Sequence, residues 1–294
     1  MKIAYYPGCT LKTKTKNLEV PGIAAMAALG VELEELERWN CCGVTFSLAD
    51  DDLLHVVAPV RDLVRVKESG HDKVVTMCSM CYNTLAQANH LMRTSEEKRK
   101  TLNAFMEEEP DYAGEVEVLH LLGFLRDEIG WDKVKAQVKV PLKGLKVAPN
   151  YGCTLVRPKE VAIDSPEHPR FMHDFLIALG AEPVDYPAAT ECCGAYQMVS
   201  HPEASMRAVA SIIDSAGTRG AEAMASTCPL CEYNVGKNQA QVLEKYQGVK
   251  PMPTYYFTQL LAVALGLDVD TCCFELNGPG AKELLESKKI LASV

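Results

Sequence analysis

Ten of the twelve cysteines form a single five-cysteine pattern that is written twice. The first copy is Cys9, the adjacent pair Cys41-Cys42, and Cys78 with Cys81 as CxxC. The second is Cys153, the pair Cys192-Cys193, and Cys228 with Cys231. Each pair is followed by a glycine, Gly43 or Gly194. A closed tetrahedral metal site needs four ligands, so each copy holds one thiol too many for one.

Three chemistries could use such thiols. A structural zinc site leaves the fifth cysteine unexplained in both copies, and zinc ligands usually come from compact knuckles. Thiol–disulfide exchange at Cys78-Ser79-Met80-Cys81 and Cys228-Pro229-Leu230-Cys231 suits a CxxC opening a helix after a strand, but it ignores six thiols. Iron–sulfur ligation accommodates distant thiolates, and two adjacent cysteines suit two neighbouring irons better than one. An ordinary four-iron cube would leave one thiol spare; a cluster of unusual shape would use all five. The compact ferredoxin run CxxCxxCxxxCP is absent, so electrons would arrive from a partner.

The elements that must position these thiols repeat as well. Tyr6-Pro7-Gly8-Cys9-Thr10-Leu11 echoes Asn150-Tyr151-Gly152-Cys153-Thr154-Leu155, and Ala28-Leu29-Gly30-Val31-Glu32 echoes Ala178-Leu179-Gly180-Ala181-Glu182. Both halves alternate apolar strands with helical patterns, so the expected fold is α/β: two pseudo-symmetric halves, each an open, mostly parallel sheet with flanking helices. Expected strands include 2–6, 31–36, 73–77 and 116–119, then 146–149 and 223–227. Expected helices include 17–29, 53–67, 80–106 and 120–129, then 171–179, 203–216 and 229–243. The expected divisions are 1–142 for the first half, 143–270 for the second and 271–294 for a tail, with a polar linker over 133–144. Cys9, Cys78, Cys153 and Cys228 then follow strands, and ligands at the carboxyl ends of parallel strands converge in one crevice. Amides at helix N-termini favour anionic sulfur there.

Composition narrows the function further. A formal net charge of −9 argues against a nucleic-acid binder. Apolar runs such as Leu260–Leu267 are too short to span a membrane, and no basic and apolar leader precedes Lys2-Ile3-Ala4-Tyr5-Tyr6, so the expected location is the cytoplasm. In a reducing compartment twelve cysteines signify metal or redox chemistry rather than disulfides. Asn277-Gly278-Pro279-Gly280 lacks the spacing of a dinucleotide fingerprint.

The doubled pattern resembles the CCG cysteine-rich domain. Two such domains, covering about residues 1–270, resemble the B subunit of heterodisulfide reductase from methanogenic archaea. Tandem domains of this kind also occur in iron–sulfur subunits of succinate/fumarate, glycolate and lactate oxidoreductases. The full cysteine complement in both halves favours the heterodisulfide group. The resemblance implies two noncubane [4Fe-4S] clusters. Cys9, Cys41, Cys42, Cys78 and Cys81 would hold the first; Cys153, Cys192, Cys193, Cys228 and Cys231 would hold the second. It implies reduction of the coenzyme M–coenzyme B disulfide to two thiols, a reaction of methanogenesis. It also implies a flavin-containing A subunit, a ferredoxin-like C subunit and a hydrogenase or formate dehydrogenase module, joined in an electron-bifurcating complex. From a different class, a zinc-stabilised interaction module stays as the alternative.

An anionic disulfide needs local positive charge on an acidic protein. Lys12, Lys14 and Lys16 follow Cys9, and Arg157 and Lys159 follow Cys153; these are the candidate substrate-binding residues, against the plain reading of a solvated loop or docking face. His55 and His201, just after the CCG loops, are the proton-donor candidates. His120 is read as packed and hydrogen-bonded; His71, His90, His168 and His173 as surface or packing residues. Cys272 and Cys273 are read as buried free thiols. Trp39 and Phe46 flank the first pair and Tyr196 follows the second, where aromatics shield a site from water or simply pack.

Overall fold

The computed structural model describes residues 1–44 and 53–291, so Phe46 lies outside the described residues. The first sheet consists of β1 (Lys2–Tyr5), β2 (Glu32–Glu35), β3 (Lys73–Thr76) and β4 (Glu117–His120), in the order β2-β1-β3-β4. The second consists of β5 (Lys146–Pro149), β6 (Glu182–Pro183), β7 (Ala223–Ser226) and β8 (Thr254–Tyr256), in the order β6-β5-β7-β8. Every pairing among them is parallel. The expectation of mostly parallel sheets is thus met by sheets that are parallel throughout the described residues. The inner strands are sealed on both faces, as parallel strands require. Val74, Val75 and Thr76 are buried in β3, and all of β7 is buried. The edge strand β2 carries Glu32, Glu34 and Glu35, charges that discourage pairing with another chain.

The first half continues with α1 (Cys9–Thr13), α2 (Lys16–Ala28), α3 (Leu54–Glu68), α4 (Ser79–Thr94), α5 (Glu96–Phe105), α6 (Leu121–Phe124) and α7 (Trp131–Gln137). The second adds α8 (Phe171–Ala178), α9 (Pro202–Thr218), α10 (Pro229–Glu232), α11 (Gln239–Lys245) and α12 (Phe257–Ala264), and the tail adds α13 (Ala281–Ser287). Two long helices expected from the sequence are broken. The span 80–106 divides at Ser95, an extended residue whose hydroxyl accepts from Lys98 N and caps α5, with Glu96 and Glu97 in the first turn. The span 229–243 is interrupted by a π-turn at Tyr233–Lys237, where Gly236 packs so closely that an added Cβ would lie 2.2 Å from Thr254 Oγ1. Part of the expected linker is the helix α7, because Val134 is buried and Trp131 packs on Phe175.

The halves are not beads on a string. Helix α12 of the second packs lengthwise on α2 of the first, and Thr258 Oγ1 donates to Leu18 O. The tail reinforces this seam through Asn277. Its Oδ1 accepts from Asn17 Nδ2 of α2 at 2.9 Å and from Gln259 Nε2 of α12 at 2.7 Å, while its Nδ2 donates to Thr254 O. Replacing Asn277 with leucine leaves these partners unpaired. The expected cost is roughly 2–3 kcal/mol, read as a lower urea midpoint with an unchanged slope.

Candidate metal centre

The strand order fixes where the thiols meet. The chain leaves β1 toward β2 on one side and later fills β3 on the other, so β1 and β3 flank the point where strand order reverses. Cys9 opens α1 directly after β1. Cys78 is the N-cap of α4 after β3, with Cys81 in that helix's first turn. The pair Cys41-Cys42 arrives from the loop after β2. Cys9 Sγ lies 3.5 Å from Cys41 Sγ, and Cys42 Sγ lies 3.6 Å from Cys81 Sγ. The second half does the same. Cys153, Cys192, Cys193, Cys228 and Cys231 line one cavity, together with Met80, Asn150, Tyr196 and Leu230 among others.

Two backbone features make the convergence possible. Gly8, at φ 72°, brings the chain so close to the CxxC that an added Cβ would stand 2.8 Å from Cys81 Sγ; Gly152 occupies the same place beside Cys231 Sγ, at 3.6 Å. Gly194, at φ 74°, turns the second CCG loop against α9, where a Cβ would sit 2.8 Å from Ser205 Cα. That loop is then pinned: Ser205 Oγ and Asn234 Nδ2 both donate to Cys193 O at 3.1 Å.

The sulfurs share protons with one another. Hydrogen bonds from Cys41 and Cys81 pull the Cys42 thiol down to about 5, and the same bonds push Cys41 and Cys81 up. Cys153 and Cys193 pull Cys192 down to about 2, and Cys192 in turn pushes Cys153 up and Cys193 up to about 12. Cys231 lowers Cys228, whose backbone neighbours at the start of α10 add to the effect.

The donor set fits a thiolate-bound metal–sulfur cofactor. The second cavity offers five thiols and no carboxylate or imidazole, a ligand set for soft metals and iron–sulfur clusters. Among the described residues, no three His, Cys, Asp or Glu side chains are gathered tightly enough to hold a single ion. The free thiols include Cys272, buried as expected, and Cys273, which is only half-buried and sits at φ 49°.

Both thiol sets reach the seam between the halves. Ser79 and Thr227, which adjoin Cys78 and Cys228, bond to each other through Ser79 N to Thr227 O at 3.3 Å and through their hydroxyls at 2.6 Å. Tyr196 OH donates to Val44 O at 3.1 Å and so joins the two CCG loops. Met80 of the first CxxC lines the second cavity. Tyr256 is buried among these groups; burial first, then Glu232, Cys228, Cys78 and Cys231, push its phenol up. Glu232, next to Cys231, is buried as well, and desolvation raises it to about 7.

The other sequence candidates have different surroundings. Lys12 pairs with Glu19 and Glu35, and Lys16 pairs with Glu19, so carboxylates already neutralise both. Lys14 is exposed. Arg157 donates to the carbonyls of Thr190 and Pro166, and Lys159 is exposed at the start of a 3-10 turn. None of the five is among the residues lining the second thiol cavity. His201 is exposed at the N-cap of α9, 3.0 Å from Gln197 Oε1 and from Ser200 Oγ. His55 lines a separate cleft with Gln87 and Lys98. His120 is fully buried; its Nε2 donates to Met77 O, its Nδ1 accepts from Leu122 N, and burial lowers it to about 3. The packed reading of His120 is what the structure shows. His173 is also buried, between Tyr151 OH and Asp185. Sequence reading missed Asn150, Ser205, Asn234, Glu232 and Tyr256. The available signal was asymmetry between matched positions, such as Tyr82 after the first CxxC against Glu232 after the second.

The two CCG glycines give a paired test. Both need positive φ, so Gly43→Ala costs about 1 kcal/mol from backbone strain alone, since its Cβ would meet nothing nearer than 3.9 Å. Gly194→Ala adds a backbone clash with Ser205 and should cost clearly more. Urea unfolding of the two variants checks the ranking.

Comparison with known proteins agrees with this architecture. The model of the CCG cysteine-rich domain matches residues 3–86 and again 147–236. The chain is 30% identical to the 8-methylmenaquinol:fumarate reductase membrane anchor subunit of Wolinella succinogenes, over 90% of this chain and 93% of that one. It is 30% identical to the B subunit of the ferredoxin/F420H2-dependent CoB-CoM heterodisulfide reductase of Methanosarcina acetivorans, over 94% of this chain and 93% of that one. It is 27% identical to an Archaeoglobus profundus protein described as like the B subunit of heterodisulfide reductase, over 98% and 100%. A hypothetical protein from Helicobacter pylori shares the fold, with a TM-score of 0.75 at 12% identity; the match covers 94% of this chain and about half, 51%, of that one. No helix among the described residues is long and apolar enough to cross a membrane. With its doubled five-cysteine pattern seated on two matching sheets, the chain belongs to the CCG cysteine-rich domain family.

Proposed function

We propose that the chain is the thiol-ligated catalytic subunit of a heterodisulfide reductase, and that it reduces the coenzyme M–coenzyme B disulfide. The observation that carries this reading is the pair of complete five-thiol sets brought to one seam by the Ser79–Thr227 contact. In this reading Cys9, Cys41, Cys42, Cys78 and Cys81 hold one noncubane [4Fe-4S] cluster, and Cys153, Cys192, Cys193, Cys228 and Cys231 hold the other. Bound there, the clusters supply one electron each and Lewis-acidic iron for the departing sulfurs. The balance is RS–SR′ plus two electrons and two protons, giving RSH and R′SH.

The chain's own residues do the rest. Gly8 and Gly152 let the backbone close over each site, while Asn234 and Ser205 hold the second CCG loop in place. Met80, Tyr196 and Tyr256 wall the seam with apolar and aromatic surface that limits water. For the substrate's anionic groups, Lys14, Arg157 and Lys159 are the better candidates, since Lys12 and Lys16 are already paired. The proposed proton donors are His201, exposed at the N-cap of α9, and His55, which lines a separate cleft. The family partners would be a flavin subunit and a ferredoxin-like subunit with a hydrogenase or formate dehydrogenase module, in a cytoplasmic bifurcating complex. The division into halves at 1–142 and 143–270, with a tail over 271–294, belongs to the same reading.

A second reading rests on the equal identity to the fumarate reductase subunit. There the chain would pass electrons between a quinol and fumarate chemistry on other subunits. Metal analysis and electron paramagnetic resonance separate the possibilities. About eight irons per chain and a signal elicited by coenzyme M or coenzyme B in the oxidised protein are expected. Iron without thiol response favours the quinol-linked reading, and two zincs without iron overturn both. Cys192→Ala with Cys193→Ala should remove one cluster and abolish disulfide turnover; turnover that survives sinks the two-site mechanism.

A further inference from the structure

The adjacent cysteines of the first loop are oriented by residues outside the thiol set. Asp62 of α3 is buried, an expensive place for a carboxyl unless it is hydrogen-bonded. Burial raises it to about 7, and the Asn40 amide and Arg65 oppose that shift. Asn40, the residue before the cysteine pair, donates its backbone N–H to Asp62 Oδ1 at 2.8 Å. Arg65, one turn further along α3, donates to Asn40 Oδ1 at 2.6 Å and to Asp62 Oδ1 at 3.4 Å. The Asn40 side-chain nitrogen faces three acceptors: Ala58 O at 3.1 Å, Cys41 O at 3.2 Å and Asp62 Oδ2 at 3.3 Å. Asn40 O accepts from the hydroxyl of Tyr6, three residues before Cys9, at 2.7 Å. Three consecutive peptide groups are therefore fixed: those joining Trp39 to Asn40, Asn40 to Cys41, and Cys41 to Cys42. Their orientation decides where the two thiols point, Cys41 Sγ toward Cys9 Sγ at 3.5 Å and Cys42 Sγ toward Cys81 Sγ at 3.6 Å.

The second half does without this network. With Gly70 and Gly220 matched just after α3 and α9, Ile212 stands where the first half has Asp62, and Ser215 where it has Arg65. Glu191 precedes the second pair in place of Asn40. There the loop is held instead by Ser205 and Asn234, through Cys193 O. We infer that Asp62, Asn40 and Arg65 form a positioning network for the group held by Cys9, Cys41, Cys42, Cys78 and Cys81, and that the second centre does not depend on it. Side chains that fix the orientation of ligands in this way shape a metal site without touching the metal. This inference rests on the proposed iron–sulfur ligation and not on the identity of the disulfide.

Electron paramagnetic resonance of the cluster-loaded protein tests it. The variant carrying Cys192→Ala with Cys193→Ala keeps only the first centre and so assigns the signals. Asp62→Leu removes the acceptor of the Asn40 N–H and leaves an apolar side chain in a buried place. Its first-centre signal should be lost or displaced, while the second-centre signal keeps its position and intensity. Two signals that stay as in the wild type, or that weaken together, overturn the inference, because an Asp62 that merely stabilised the fold would act on both centres. A change in the second signal alone overturns it as well. Should Asp62→Leu fail to fold, Asn40→Ala, at a half-buried position, removes the side-chain bonds to Arg65 and Cys41 and is read in the same way. Iron that does not respond to coenzyme M or coenzyme B sinks the disulfide reading and leaves this test in force. A wild-type protein that takes up no iron overturns both.

Discussion

Five sulfurs can meet at one point only if three separate strand ends deliver them there, and the rest of the molecule follows from that requirement. Parallel strands put all their carboxyl ends on one side, and a reversal of strand order opens a gap between two of them. Cys9 and the CxxC come from the two strands beside that gap, and the CCG pair reaches in from the edge strand. Because the strands are only two to four residues long, each thiol lies within a few residues of a rigid anchor. The close approach at Gly8 is the cost of this arrangement, since a Cβ there would stand 2.8 Å from Cys81 Sγ.

Duplication turns one such point into two, and the seam determines how they relate. Hydrogen bonds between Ser79 and Thr227 lock the CxxC loops together, and α12 on α2 buries the apolar faces behind them. Asn277 then binds both halves from the tail. A loose linker would let the sites drift apart. The proposed two-electron reaction would need its two centres at a fixed separation, and these contacts would supply it.

Much of this was legible in the residues themselves. The doubled cysteine spacing exposed the repeat, and the apolar runs ending at Tyr6, Met77 and Thr227 placed strands before the sulfurs. Boundaries were less legible where tertiary contacts decide them. Within the π-turn at Tyr233–Lys237, Gly236 packs against Thr254 of a later strand, a contact that helical spacing does not reveal. Ser95 carried a visible capping signal, yet the strong helical pattern on either side concealed the break. Two of the charged candidates were hidden for a similar reason: Glu19, buried in α2, turns back to take up Lys12 and Lys16. Charge near a cysteine in the chain is a poor guide to charge near its sulfur in space.

The same reasoning separates cofactor from substrate. Relatives at the same 30% identity are named for disulfide reduction and for fumarate reduction alike, so overall likeness does not choose the substrate. What differs between such proteins must lie in the walls. In this chain the pseudo-symmetry breaks at Asn150, which lines the second thiol cavity where the first half has Tyr6, and at Glu232, which follows Cys231 where Tyr82 follows Cys81. The two sites share their thiols and differ in the side chains around them, so whatever separates such proteins in substrate would act through those side chains rather than through the cysteines.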